Sequence, residues 1–288
     1  MYFHIGKIIS YQMVRNGRGK GIVKQLSSDL IAEFGTKWGY SVQSLWYMKN
    51  FYLAYKEFPK LQQLAGEIPR GQNMLIIDKC KTIEQRAFYI NLVRGRGLSR
   101  NVLIHHIEAN AFGIAQQKPM HNFEETIHEH SDLAEKILKD EYIFDFLGIN
   151  EPFAERKLEA SLLDNIKKFL MELGDDFCFI ANQYKLTLDW SDYFVDLLFY
   201  HRGMKRLFAI ELKVEEFKPE FVGKMNFYLW LLDDKVKKED EWNSIGIILC
   251  KKKNKLVAEY ALRDSNKPIA VAAYTIVQIL QKKLQSVL

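Results

Sequence analysis

The chain has 288 residues, 48% hydrophobic and 27% charged, a globular balance that excludes a disordered or fibrous protein. Its length suits two domains of ordinary size. A formal charge of +5 and a pI near 8.8 lean toward a polyanionic partner without deciding for one. No apolar run reaches the roughly 18 residues that span a bilayer. The start, MYFHIGKIIS, lacks the layout of a signal peptide. The expectation is therefore a cytoplasmic protein with no membrane partner. Cys80, Cys178 and Cys250 lie far apart without zinc spacing, which fits buried, reduced thiols.

Ile5, Ile8, Ile9 and Met13 recur at helical spacing, predicting a helix over residues 1–15. The glycine-rich RNGRGKG (Arg15–Gly21) reads as a basic turn able to touch a DNA backbone. No strand precedes it and no Ser or Thr follows Lys20, which argues against a phosphate-cradling loop. A second helix spans Gly21–Phe34, and Ser41 caps a third over Val42–Ala54. The aromatics Trp38, Trp46, Tyr47, Phe51 and Tyr52 have the spacing of a helix core rather than a base-stacking platform.

Residues 59–72 read as a loop, Asn73–Val93 as a helix, and Ser99 as the cap of Arg100–Ala111. A helix, a turn bearing Gly95 and Gly97, and a capped helix suggest a helix-turn-helix. Arg94, Arg96 and Arg100 crowd the end where a DNA phosphate could sit; a solvated basic turn in a helical bundle is the alternative. His105 and His106 point about 100° apart on a helix and chelate poorly, and His128-x-His130 has no second ligand pair. Gln116–Asn122 reads as a linker and Phe123–Leu147 as a helical connection. The domain boundary is expected near residue 150, giving units 1–150 and 151–288.

Glu155–Leu173 is an amphipathic pattern closed by Gly174, followed by strands over Phe177–Ala181 and Tyr184–Leu188. Tyr193–Val214 then carries two apolar runs around His201-Arg202-Gly203-Met204-Lys205-Arg206, the signature of a hairpin. A turn centred between Gly203 and Met204 sets Asp196 opposite Glu211. Alternation puts Val195, Leu197, Phe199, Phe208, Ile210, Leu212 and Val214 on one face and Asp196, Glu211 and Lys213 on the other. Pro219 opens a helix to about Leu232. Ser244–Cys250 and Leu256–Ala261 suggest a second hairpin around KKKNK, and Ala272–Lys282 a closing helix. The order is that of an α/β domain.

Two carboxylates ~5 Å apart across a hairpin can share a hard divalent cation. Such a cation acidifies water and stabilises charge on a phosphoryl oxygen. Lys213, two residues after Glu211, can orient that water or neutralise developing charge. A cross-strand salt-bridge ladder is the competing reading.

Asp196 followed by Glu211-x-Lys213 resembles the core of the PD-(D/E)XK nuclease superfamily. The strings FLMELG (Phe169–Gly174), YFVDLLFYHR (Tyr193–Arg202), AIELKVEEFKPEF (Ala209–Phe221), MNFYL (Met225–Leu229) and SIGIILCKKKNKLVAEYAL (Ser244–Leu262) are similar to the YhcG-like nucleases over nearly the whole chain. The resemblance implies a C-terminal restriction-endonuclease-like domain with an α-β-β-β-α-β core, behind a mainly α-helical, winged-helix-like N-terminal domain. It implies Mg²⁺ as cofactor, with Mn²⁺ as a substitute, and an upstream helix that this start would truncate.

By the same resemblance, Glu159 assists the metal pair Asp196 and Glu211, with Glu172 a weaker candidate that a helix C-terminus disfavours. Gln183, Tyr200, His201 and Arg202 also match the family pattern; His201 and Arg202 would bind phosphate or shape the turn. Lys224 and Tyr228 share a helical face, with lysine where the family has glutamine. The expected activity is endonucleolytic hydrolysis of DNA, with a homodimer or a protein partner on the N-terminal domain as further expectations. A catalytically silent DNA-binding or assembly module is the alternative, and RNA as substrate is a third.

Overall fold

A computed structural model describes residues 2–16, 19–35, 39–127, 129, 131–149 and 152–276. The chain divides into two compact units, 1–108 and 109–288. The first holds α1 (Tyr2–Asn16), α2 (Gly19–Phe34), α3 (Val42–Tyr55), α4 (Pro59–Gly66), α5 (Arg70–Lys79), α6 (Ile83–Arg96) and α7 (Arg100–Glu108), all helices as the resemblance implies. Ser41 caps α3 as expected, its side chain accepting the Ser44 N–H at 3.3 Å. Tyr47, Phe51 and Tyr55 are buried along α3, so the aromatic run serves packing. Trp38, the centre of the RNGRGKG turn, His128 and His130 lie outside the described residues.

Two expectations change in this unit. Residues 59–66 form α4 rather than a loop, because Pro59 at its first position is preorganised for a helix. The span Asn73–Val93 is broken at Cys80–Thr82, where Thr82 and Gln85 form a reciprocal capping box that starts α6. The helix-turn-helix order survives as α6, a left-handed Gly97 (φ 62°) and α7. Gly97 suits that cap because it has no Cβ to clash.

The second unit holds α8 (Ala111–Ala115), β1 (Met120–His121), α9 (Phe123–Thr126), α10 (Ser131–Ile137), β2 (Glu141–Phe144), α11 (Glu155–Asp164), α12 (Ile166–Leu173), β3 (Phe177–Leu188), β4 (Ser191–His201), β5 (Arg206–Glu216), α13 (Glu220–Lys235), β6 (Trp242–Lys252), α14 (Lys255–Arg263) and β7 (Ile269–Ile276). The sheet runs β1-β7-β6-β5-β4-β3, with β2 also on β7. Strands β3–β5 form an antiparallel meander; β5, β6 and β7 are parallel, joined by the crossover helices α13 and α14. One face packs Leu197, Phe199, Phe208 and Ile210 on Leu158, Leu162 and Phe169 of α11 and α12. The other packs Leu198, Leu207 and Ala209 on Met225, Leu229 and Leu232 of α13. Each fully buried Phe or Leu contributes about 1.5–3 kcal/mol. Gly246 lets α13 lie against β6, since a Cβ there would meet Met225 Cγ at 2.5 Å.

Several boundaries differ from the sequence reading. The division falls between Glu108 and Ala109 rather than near 150, because the supposed linker and helical connection contain β1 and β2, both paired to β7. Asn122 fastens that stretch: its side chain reaches Ser265 O and Lys267 O at 3.0 Å and accepts the Ile269 N–H at 2.9 Å. Asn165 splits the long amphipathic helix into α11 and α12. The two short strands before the hairpin are one strand, β3, with a register shift between Phe179 and Ala181.

The second hairpin is instead β6 and the helix α14. Asn254 caps α14 by accepting the N–H groups of Leu256 and Val257. Ala272–Ile276 continues strand β7, and the rest of the expected closing helix lies outside the described residues. Cys178 is exposed, because β3 is an edge strand, while Cys80 and Cys250 are buried. Among the described residues no helix is long and apolar enough to cross a membrane.

Candidate active site

The central hairpin has the expected register: Leu197 pairs with Ile210, Phe199 with Phe208 and His201 with Arg206. On β5, Leu207 and Ala209 face α13, and alternation carries Glu211 and Lys213 to the same side. The pairing ends at Leu197, one residue before Asp196 would face Glu211. There the Asp196 carboxylate takes over, its Oδ2 accepting the Leu212 N–H at 2.9 Å. Val195 departs from the expected face. It packs with Leu198 on the α13 side, because the alternation slips where Asp196 leaves the ladder and its neighbour Gln183 adopts a left-handed φ of 45°.

Glu211 is 2% exposed. Its Oε1 receives Lys213 Nζ at 3.1 Å and also Lys224 Nζ from α13, while its Oε2 is buried without a hydrogen-bond partner. Lys213 Nζ is further held by Glu155 Oε2 at 3.2 Å and by Leu212 O at 3.0 Å. Burial favours the neutral amine of Lys213, but Glu211 and Glu155 outweigh it and raise its pKa. Burial, then the charge of Glu211, raises the pKa of Asp196, against the Leu212 N–H and the two lysines. Lys224 also lies over the Tyr228 ring, 5.2 Å from its centre.

Glu159 reaches this centre indirectly. Gln183 Nε2 donates to Glu159 Oε2 at 2.9 Å and to Asp196 Oδ1 at 3.2 Å, and Asn182 Nδ2 donates to Glu159 Oε1 at 3.3 Å. Glu155, Arg156, Glu159, Asn182, Gln183 and Asp196 line a cleft of about 540 Å³. Glu155 and Asn182 escaped the sequence reading. Glu155 stands four residues before Glu159, a spacing that shares one helix face and carried the signal.

The donor set fits a hard divalent cation. Buried carboxylates are stable only when something neutralises them, and the orphaned Glu211 Oε2 beside Asp196 offers an unspent oxygen. Among the described residues no three His, Cys, Asp or Glu side chains gather around one metal position. A cation here would take the two carboxylates and complete its shell with water, as Mg²⁺ commonly does.

Other expected residues lie elsewhere. His201 and Arg202 sit at the far end of β4, five and six residues from Asp196, or ~17–20 Å along a strand. His201 is buried and accepts the Met204 N–H at 3.1 Å, so it shapes the turn. Tyr200 is beside it. Glu172 is a structural anchor, paired with Lys139 at 2.8 Å. Arg94, Arg96 and Arg100 belong to the helical unit, where Arg94 is engaged by Glu67 at 2.7 Å. His105 approaches Glu108 at 3.8 Å and His106 is buried, in keeping with packing roles.

A carboxylate pair and a lysine where a hairpin diverges, in a mixed sheet covered by helices, define a PD-(D/E)XK nuclease domain. A model of the YhcG PDDEXK nuclease domain matches residues 135–288, and one of the DUF1016 N-terminal domain matches residues 1–113. The chain belongs to the YhcG PDDEXK nuclease family. It is 26% identical over 311 residues to the protein named Putative nuclease YhcG of Escherichia coli (strain K12), covering 95% of this chain and 82% of that one. Among solved structures it is similar to a repair endonuclease from Pyrococcus abyssi (15% identity, TM-score 0.29) and to an EndoMS–dsDNA complex (13% identity, TM-score 0.30). Each match covers 45% of this chain, and the chain spans about half the length of each structure.

Proposed function

We propose that the protein is a metal-dependent endonuclease that hydrolyses DNA phosphodiester bonds. The observation that carries this reading is the buried Glu211 carboxylate, with Oε2 unpartnered, set beside Asp196 and Lys213. Asp196 and Glu211 would hold Mg²⁺ or Mn²⁺. When bound, the cation supplies an acidified water and charge neutralisation at a phosphoryl oxygen. Lys213, held by Glu155 and Leu212 O beside Glu211, positions the attacking water and offsets charge on the phosphate. Glu159 steadies Asp196 through the Gln183 amide and lines the cleft. Lys224 and Tyr228 flank the phosphate path, and Arg94, Arg96 and Arg100 of the helical unit would add salt-sensitive contacts to DNA backbone.

The test is incubation of linear, supercoiled and single-stranded DNA with Mg²⁺ or Mn²⁺, beside a Glu211→Ala, Lys213→Ala double variant. Cutting by the parent alone, abolished by chelator, supports the reading. Salt-dependent binding without cutting would favour the silent DNA-binding module instead, a reading that draws on the occupation of Glu211 by Lys224.

A further inference from the structure

Glu211 carries two ammonium groups on one oxygen, and they are held very differently. Lys213 is 10% exposed and fixed by Glu155 and Leu212 O as well as by Glu211. Lys224 is 44% exposed, reaches Glu211 from another element, α13, and has the Tyr228 ring as a neighbouring perch. A lysine stem has four rotatable carbons and its ammonium is readily hydrated, so Lys224 can withdraw into solvent while Lys213 cannot. A carboxylate already neutralised by an ammonium on Oε1 binds a cation at Oε2 less well, because its charge is offset and the ammonium repels the incoming ion.

We propose that Lys224 is a removable counter-ion of Glu211 that a divalent cation displaces, so that Lys224 sets the metal affinity of this centre. The inference rests on the metal-site reading above. With the ammonium seated on Glu211, the charge of the buried carboxylate is offset in the metal-free protein. Lys224 already lies near the Tyr228 ring while seated on Glu211, so displacement turns its ammonium outward from the edge of the centre, free to meet a phosphate. Two cations thus compete for one carboxylate, and no covalent bond changes.

The experiment is Mn²⁺ binding to the full chain, by calorimetry and by the electron paramagnetic resonance of free Mn²⁺, without DNA. Lys224→Met keeps the stem length and removes the ammonium; it should bind Mn²⁺ about tenfold tighter than the parent, a coupling of ordinary size. Lys224→Arg, which keeps the charge, should bind like the parent. Lys218→Met, on the neighbouring surface and paired with Glu215, controls for net charge and should change affinity far less.

Equal affinity of the parent and Lys224→Met overturns the proposal, as does an equal gain in Lys218→Met. Glu211→Gln separates the two readings. If it abolishes binding while Lys224→Met matches the parent, the metal site stands and the role of Lys224 falls. If neither the parent nor Lys224→Met binds Mn²⁺, both fall together. Matching circular dichroism melts of the variants exclude a misfolded Lys224→Met.

Discussion

Asp196 and Leu212 are joined by a bond that replaces the next rung of the β4–β5 ladder: the carboxylate Oδ2 accepts the Leu212 N–H at 2.9 Å. One carboxyl oxygen thus closes the sheet and the other faces Gln183 and the cleft. Asp196→Asn keeps an acceptor for Leu212, so its stability should stay within about 0.5 kcal/mol of the parent. Asp196→Ala strands that N–H and should cost about 1–3 kcal/mol. Both variants should cut DNA at least about a hundredfold more slowly, the scale of losing one preorganised electrostatic group. Thermal melts and cleavage rates together separate the two roles.

The Gln183 amide stands between Glu159 and Asp196 and donates to both. Gln183→Ala leaves the two carboxylates without that bridge. Metal affinity or cleavage rate should fall about tenfold, as for other supporting partners of ligating groups. Titration with Mn²⁺ checks this; an unchanged affinity and rate would remove Gln183 from the supporting shell.

His201 gives a pH prediction. Burial lowers its pKa below the ordinary 6.5, against the opposing charge of Asp176. As pH falls, the unfolded chain therefore takes up the proton before the folded one. The stability from His201 is complete above pH 6.5 and is lost as pH falls through the lower folded pKa. His201→Asn retains an acceptor for the Met204 N–H but gives up the ring contact with Phe177, 4.8 Å between centres. It should melt below the parent at pH 8 and lose less stability on acidification. Melting curves from pH 8 to pH 5 would read the difference.

The β3–β4 turn places Asp189 and Trp190 at φ 44° and 64°, and Trp190 is 98% exposed. Both positive angles are those of the two-residue hairpin turns that favour Asn-Gly. A bulky residue there costs about 1–2 kcal/mol. Trp190→Gly should raise stability by up to about 1 kcal/mol, since no packing is lost. Denaturant unfolding measures it, and a destabilised variant would show that the ring makes a contact of consequence.

The hairpin was legible because its information is local. Alternating apolar residues around a polar break fix the turn, the turn fixes the register, and Asp196, Glu211 and Lys213 follow. The pattern of Glu155–Leu173 likewise announced the helices that cover one face, though a single Asn165 divides them. The stretch after Lys252 misled, because Leu256–Ala261 is apolar enough for a strand. Only the Asn254 cap and the parallel pairing of β6 with β7 make it a crossover helix.

By itself the sequence determined the grouping of Asp196, Glu211 and Lys213 on the central hairpin, the α/β class of the C-terminal half and the helical class of the N-terminal half. These depend on periodicity and on neighbours in the chain. Tertiary structure alone decided that residues 109–149 belong with the sheet, through bonds from Asn122 to residues more than 140 positions away. It also decided that Val195 turns from its expected face, and that Glu155 and Lys224 converge on Lys213 and Glu211 from helices on opposite faces of the sheet. Charge pairing across elements leaves no periodic trace along a chain. It becomes readable only once packing has brought the side chains within a few ångströms.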